Sequence, residues 1–509
     1  MVRSFDPARL SFRRFAALFA ALFLLSLVPL TLTGVLPLVD YPNHLARMDI
    51  LARLPQAPVL QSYYALAWRP IPDLAMDLLV PPLLRMVPLL LAGKLFVALT
   101  FFLLAAGPAA LHRALFGRWS AWPCLAFLLL YSRLLLWGFL NYLFGLGLAL
   151  CALAAWVALA ERRPALRLAA GVLFAFALYF AHLMAFGIYA VLVVGFEAGA
   201  LWRRRAPVGG ALRALALTLL PLALPLALFV FGSAGGAGMG GAVRFSPLWR
   251  KLDLPFSVFD LYHRPFDVAC FVIAVGGLGL AYGRRWLALA PAMAVPLALL
   301  FLVYLAMPTQ LMTASGVDRR LPLALFLTLI GSSAWVAPLP RREGVYLAAA
   351  ALLLAVRLGS VALSWQASGR EYHAIVAGLE TVPIGSRIAV AYPAAAVNVS
   401  ATPTLHLPVL AAALRQAFVP TLFAYAGQQP VALRPPYRAL AAALPPDRLW
   451  AGFVGGAGLD AAERAALRRY DYVVFTAPRP FALATASGLA PAFQMPRFQL
   501  YRVTAAAAP

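Results

Sequence analysis

Long apolar runs with few or no charges recur along the chain from position 15 to position 363. A helix needs about 20 such residues to cross the hydrocarbon core, and in lipid a spanning segment must satisfy its own backbone. The runs predict spanning helices over approximately 15–36, 91–111, 120–137, 138–160, 167–181, 183–202, 211–232, 265–282, 286–306, 321–338 and 344–363. The expected fold is therefore an all-α polytopic membrane bundle of about eleven transmembrane helices. The first run is long for a signal-peptide core of about 7–15 residues, and no small-x-small site closes it, so it predicts a retained helix.

Two long loops face the same side. The first, about 37–90, contains Pro42, which suits the first turn of a helix. Leu45, Met48 and Leu51 follow at helical spacing, which predicts a helix lying flat on the membrane surface. The second, about 233–264, opens on a Gly-rich tract over 232–241 with the flexibility of a lid. Beyond 364 the pattern changes. Arg387-Ile-Ala-Val-Ala-Tyr392, Tyr470-Asp-Tyr-Val-Val-Phe475 and Phe498-Gln-Leu-Tyr-Arg-Val503 read as strands, with helical stretches over 371–380 and 461–469. The expected division is a transmembrane domain over 1–364 and a small α/β soluble domain over 365–509.

Composition agrees with a membrane protein: 63% of the 509 residues are hydrophobic and 12% charged, about half the charged share of a soluble domain. The net charge of +24 does not argue for nucleic acid. Lys94 and Lys251 are the only lysines, and an Arg-, Ala-, Leu- and Pro-rich chain reflects a GC-rich genome. Much of the excess sits in short loops: Arg113 and Arg118; Arg162 and Arg163; Arg203, Arg204 and Arg205; Arg284 and Arg285; Arg341 and Arg342. These are every second loop, as positive-inside bias requires. The alternate loops carry Asp40, His44, Asp49, Asp73, Asp253, Asp260, His263 and Asp318. The expected topology has a cytoplasmic N-terminus and a periplasmic C-terminal domain in a bacterial inner membrane. Cys124, Cys151 and Cys270 all lie in apolar runs and form no metal or redox spacing.

Two polar clusters carry candidate chemistry. Val39-Asp-Tyr-Pro-Asn-His-Leu-Ala-Arg-Met-Asp49 directly follows the first span. His44 and Arg47 share a helix face, and Asp40 precedes the helix at the membrane boundary. An acid beside an imidazole and a guanidinium can take a proton while the cations hold a phosphate. The same residues equally fit a capped surface helix that meets lipid headgroups. The second cluster is Val317-Asp-Arg-Arg-Leu-Pro322. Arg319 and Arg320 on the outer side run against the charge bias; they fit either a pair with Asp318 or an anion at the outer leaflet. His182, Asn141 and Arg133 sit at outer helix ends, as a ligand contact, an interhelical hydrogen bond or a snorkelling cation. His406 has no identifiable partner and reads as structural.

This layout resembles the C-type membrane glycosyltransferases, which include the protein O-mannosyltransferases and the aminoarabinose transferase of lipid A. Asp40 occupies the place of their first-loop acid, and Arg319-Arg320-Leu-Pro resembles a basic stretch late in several members. Many members carry two nearly adjacent acids, whereas here the next acid is Asp49. The stretch around Asp40 is also similar to a group of bacterial membrane proteins from which no substrate carries over. The resemblance implies inverting transfer of a sugar from a polyprenyl-phosphate donor to a hydroxyl on a lipid or glycan acceptor. Asp40 would be the base, with Asp49 as substitute. His44, Arg47, His182, Arg319 and Arg320 would bind substrate. No cofactor is implied, and a divalent cation stays open. Two rivals remain: a lipid or polysaccharide transporter, and a non-catalytic subunit of an envelope assembly complex. No internal repeat of the transporter kind is visible.

Overall fold

Ser11 opens the first long helix, Phe12–Thr31, by accepting the Arg14 N–H at 3.3 Å. This satisfies one of the orphan donors at a helix start. Pro164 begins Pro164–Ala181, where its missing N–H costs nothing. Gly117 closes Leu89–Phe116 in the left-handed conformation, φ 67°, with its N–H on the Arg113 carbonyl at 3.0 Å.

The computed structural model describes residues 10–160, 163–232, 241–311, 314–336, 340–394, 404–425 and 427–504. Among them, eight helices are long and apolar enough to cross a membrane: Phe12–Thr31, Leu89–Phe116, Leu140–Ala158, Pro164–Ala181, Leu183–Arg203, Val208–Phe231, Arg264–Gly283 and Gly344–Glu380. Shorter apolar segments, Trp122–Trp137, Pro291–Ala306 and Leu321–Gly331, join the bundle. Leu212, Leu219, Leu220, Leu224 and Val230 stand exposed along Val208–Phe231. A patch like this is a liability in water and the required surface against lipid. Leu89–Phe116 and Leu140–Ala158 pack through small residues. A Cβ on Gly107 would come within 2.9 Å of the Gly147 carbonyl, so the two backbones touch.

Four expected spans take a different form; those over 286–306 and 321–338 shorten to the helices Ala294–Ala306 and Leu321–Gly331, with a strand of each, Leu287–Leu289 and Ser333–Trp335, outside the helix. The stretch expected over 120–137 is a 3-10 helix, Trp122–Leu129, a break, and a short helix, Arg133–Trp137. The buried Arg357 guanidinium satisfies carbonyls at this break, donating to Tyr131 at 3.0 Å and Phe259 at 3.2 Å. The stretch expected over 344–363 belongs to a 41-residue helix, Pro340–Glu380. At 1.5 Å per residue it is about 60 Å long, roughly twice the hydrocarbon core. Its far half buries Tyr372, Ile375 and Leu379 in the C-terminal unit.

The loops segregate to the two ends of the bundle. At one end, Leu287–Leu289 pairs antiparallel with Ser333–Trp335. There Arg118 donates to the Trp335 carbonyl at 3.1 Å, and Arg203 to that of Pro291 at 3.1 Å. Asp40, His44, Asp73 and His182 gather at the other, while His112 and Glu197 stay on the arginine-rich side. The expected glycine lid lies outside the described residues over 233–240, as do Arg162 and 398–403.

The helix Tyr41–Arg53 does not lie flat on a membrane. Every residue from Tyr41 to Leu51 is buried, polar ones included. Ala75–Leu83 packs on one flank and Leu410–Arg415, from the C-terminal unit, on another. The apolar stripe was legible, but a second covering element 360 residues away was not. The C-terminal sheet has the order Ile388–Ala391, Tyr472–Thr476, Phe498–Val503, Leu489–Met495. Its first pair is parallel and the others antiparallel. A further antiparallel pair, Tyr64–Leu66 with Val431–Leu433, welds the first outer loop to this unit.

Candidate active site

After the first span the chain folds back across the top of the bundle. Val39 N–H meets the Leu136 carbonyl at 2.8 Å and Asp40 N–H the Trp137 carbonyl at 3.1 Å. Asp40 is thereby pinned to the turn between Arg133–Trp137 and Leu140–Ala158. Gly138, in that turn, has φ 88°. A Cβ there would lie 2.9 Å from the Asp40 nitrogen, so both the backbone angle and the contact call for glycine.

A buried polar chain runs from this turn. The His44 Nε2–H donates to the Gly138 carbonyl at 3.2 Å, which leaves Nδ1 to accept from Arg47 Nη2 at 3.3 Å. Arg47 grips Asp77 with two bonds, Nε–Oδ1 at 2.6 Å and Nη2–Oδ2 at 2.9 Å. Both side chains are essentially without solvent exposure. This bidentate geometry neutralises Arg47 inside the frame. Burial and the Arg47 charge push His44 down to about 3, so it stays neutral.

The Asp40 carboxyl is pushed up to about 7 by burial, against the pull of Arg47 and Arg320. Its side-chain neighbour is His406 of the C-terminal unit, with Nε2 3.5 Å from Oδ1. Asp49 lies nine residues on, two and a half turns and roughly 13 Å along the helix, on the opposite face. It is ion-paired with Arg53, whose Nε is 2.9 Å away, and Arg53 also donates to the Ala413 carbonyl at 2.5 Å. Asp49 is raised to about 6 by burial, yet it anchors the C-terminal unit and stands apart from Asp40.

The second sequence cluster arrives from the other flank of the same turn. The Arg319 guanidinium lies over Trp137, 5.4 Å from the ring centre, and that of Arg320 over Phe139 at 4.6 Å. Tyr142 donates its hydroxyl to the Arg320 carbonyl at 2.6 Å. Asp318, a candidate partner for these arginines, is taken by Lys251 at 2.8 Å and Thr309 at 2.9 Å. Among the described residues neither arginine has a carboxylate within ion-pairing distance, and the buried Arg320 Nε has no partner.

His182 occupies the break between Pro164–Ala181 and Leu183–Arg203, where Nδ1 accepts the Met184 N–H at 3.1 Å. Asp73 accepts the Leu183 N–H at 3.1 Å and lies 3.7 Å from His182. Asn141 ties down this corner, donating to the Asp73 carbonyl at 2.5 Å and accepting from Met76 N at 2.9 Å. Arg133 pairs with Asp260 at 2.7 Å. A cavity of about 340 Å³ opens beside Asp73, His182 and Arg320. Leu183, Ile188 and Val191 wall one side and Leu300, Val303 and Met307 the other. It has one charged end and long apolar flanks.

Asp40, His44, Arg47, His182, Arg319 and Arg320 thus converge at one end of the bundle, and Asp49 does not join them. Sequence reasoning missed three participants. His406 is 366 positions from Asp40, and no spacing signals the pairing. Asp77 and Asp73 were ordinary loop acids, without a pattern linking them to Arg47 or His182. Among the described residues no three His, Cys, Asp or Glu side chains gather as a metal site.

The apo structure of ArnT from Cupriavidus metallidurans superimposes over 98% of this chain and 99% of its own, with a TM-score of 0.50 at 14% identity. The chain shares the fold of that structure. ArnT from the same organism bound to undecaprenyl phosphate matches with a TM-score of 0.47 at 14% identity, covering 98% and 100% of the two chains. The mycobacterial arabinofuranosyltransferase AftD matches with a TM-score of 0.47 at 19% identity, over 99% of this chain and 40% of its own. No family model and no curated protein sequence matches the chain.

Proposed function

We propose that this protein is an inverting membrane glycosyltransferase that moves a sugar from a polyprenyl-phosphate donor to an acceptor hydroxyl. One observation carries the reading. A half-buried carboxyl, Asp40, and two arginines with no carboxylate partner among the described residues flank the turn after Trp137, and Arg320 also lines a cavity with a charged head and apolar walls. A lipid phosphate matches that shape: its anion faces Arg320 and its chain runs between Leu183–Arg203 and Ala294–Ala306.

In this account the acceptor oxygen attacks the anomeric carbon as Asp40 takes the hydroxyl proton. The bond from that carbon to the phosphate oxygen breaks, and its electron pair leaves with the phosphate. Arg320 and Arg319 stabilise the charge that grows there. Their guanidinium planes are held by aromatic rings, so the donors are oriented before substrate arrives. His182 and Asp73 close the polar end of the cavity, while His44 and Arg47 hold the frame. Asp49 has a structural part. Taking the eight long helices and the three short segments as crossings, the arginine-rich end faces the cytoplasm and the site opens to the periplasm.

A carrier would place its polar groups near the midplane, on broken helices. Here the polar residues of the site cluster at one end of the bundle, which favours an outward-facing reaction centre. The direct test is turnover of a radiolabelled polyprenyl-phosphate sugar by purified protein in nanodiscs. Transport of that lipid without release of polyprenyl phosphate would refute the reading.

A further inference from the structure

The candidate centre is finished by a residue from outside the bundle. His406 is mostly buried, and Phe423 packs edge-on against its ring at 5.2 Å. Its Nε2 is 3.5 Å from Asp40 Oδ1, and its Nδ1 is buried with no partner among the described residues. The unit that carries it is tied to the first outer loop at several points. Phe423 N–H donates to Asn43 Oδ1 at 2.8 Å, just beyond Asp40. Tyr64 donates its hydroxyl to the Ala417 carbonyl at 3.1 Å and accepts the Val419 N–H at 3.1 Å. The Tyr64–Leu66 strand pairs with Val431–Leu433. His406 therefore stands at a fixed place over the carboxyl.

We propose that His406 is the positioning residue of the base, its Nε2–H hydrogen-bonded to the ionised Asp40 carboxylate, so that the C-terminal unit is an obligatory part of the active centre. The inference rests on Asp40 being the base. With the proton on Nε2, the unpartnered Nδ1 is a lone pair, and a lone pair is cheaper to bury unpaired than an N–H. Burial lowers His406 to about 4, so it is neutral near pH 7 and donates without competing for the substrate proton. The separation is long for a hydrogen bond, as is common before substrate displaces water. The carboxyl also feels Arg47 from its own helix and Arg320 from the start of Leu321–Gly331. Opposite it stands the main chain of Trp137 and Gly138. His406 itself faces Asp40, His44 and Phe423.

A hydrogen bond to the charged form favours ionisation. Removing it moves the rising limb of the pH–rate profile to higher pH by about half a unit to one unit, the worth of one net hydrogen bond. A purely structural histidine would not shift that limb. The experiment is the single-turnover rate against pH for the full-length protein, His406→Leu, His406→Gln and Asp40→Asn, with donor KM measured alongside. The inference expects a lowered plateau and an alkaline shift in His406→Leu, an unchanged donor KM, and recovery of most of the limb in His406→Gln, whose amide can still donate. If His406→Leu does not fold, His406→Gln beside His406→Ala decides by the same shift. A wild-type profile in the donor-free variants, with Asp40→Asn inactive, overturns this inference alone. Full activity in Asp40→Asn overturns the underlying reading of the base.

Discussion

Gly138 and Asp40 touch backbone to backbone: a Cβ at Gly138 would lie 2.9 Å from the Asp40 nitrogen and 3.0 Å from its Cβ. The contact couples the turn beneath the site to the acid above it. Gly138→Ala meets a clash and also a left-handed backbone, which costs a non-glycine residue roughly 1–2 kcal/mol. The variant is expected to lose at least tenfold in turnover by displacing Asp40, while donor affinity stays within about threefold, a change of ~0.7 kcal/mol. Turnover and donor binding measured on one preparation check this.

The Arg47–Asp77 pair is predicted to support the fold and not to hold substrate. Truncating one partner of a buried ion pair leaves an uncompensated charge and costs about 3–5 kcal/mol. Arg47→Ala and Asp77→Ala should each lower the melting temperature sharply, and Arg47→Met with Asp77→Leu should regain most of the loss. If Arg47→Ala instead melts like wild type but binds donor poorly, Arg47 meets the phosphate directly.

Arg320→Ala is expected to weaken donor binding by about ten- to a hundredfold, since a charge-assisted hydrogen bond is worth roughly 1.5–3 kcal/mol. Arg320→Lys should recover little. An ammonium lacks the planar fork that lies over Phe139. Binding isotherms for the donor lipid in detergent discriminate the three proteins. Equal affinity for all of them would remove Arg320 from the phosphate site.

How much of this was legible follows from the physics of each signal. The bundle was legible because lipid demands about 20 apolar residues per crossing. Three of the four strands of the C-terminal sheet were also readable. Leu489–Met495 was not: its Leu-Ala-Pro-Ala stretch contains a proline, and its outward face is exposed at an edge. The break at Ser132 was hidden because its compensation comes from Arg357, 225 positions later. Within the site, Asp40, Arg319 and Arg320 stood out as charges where apolar sequence was expected. Their assignment to partners was invisible. Asp318 chose Lys251, Arg47 chose Asp77, and Asp40 met His406, all pairings set by packing between distant segments.

The topology has its own test. With the arginine-rich loops inside, a periplasm-active phosphatase fused after Thr504 should be active, and one fused after Arg285 should be silent. The reverse result would place the site on the cytoplasmic side.

The central claim is that Asp40 takes the acceptor proton. Burial holds its carboxyl at about 7. The base works only when ionised, so the single-turnover rate should climb as pH rises through about 7 and level off roughly one unit above. The decisive measurement is that rate for wild type and Asp40→Asn on a polyprenyl-phosphate sugar in nanodiscs, with donor affinity taken in parallel. The account predicts a fall of about 10²–10⁴-fold in Asp40→Asn, loss of the limb near pH 7, and unchanged donor affinity. An Asp40→Asn protein that turns over at the wild-type rate with the same pH dependence would contradict it.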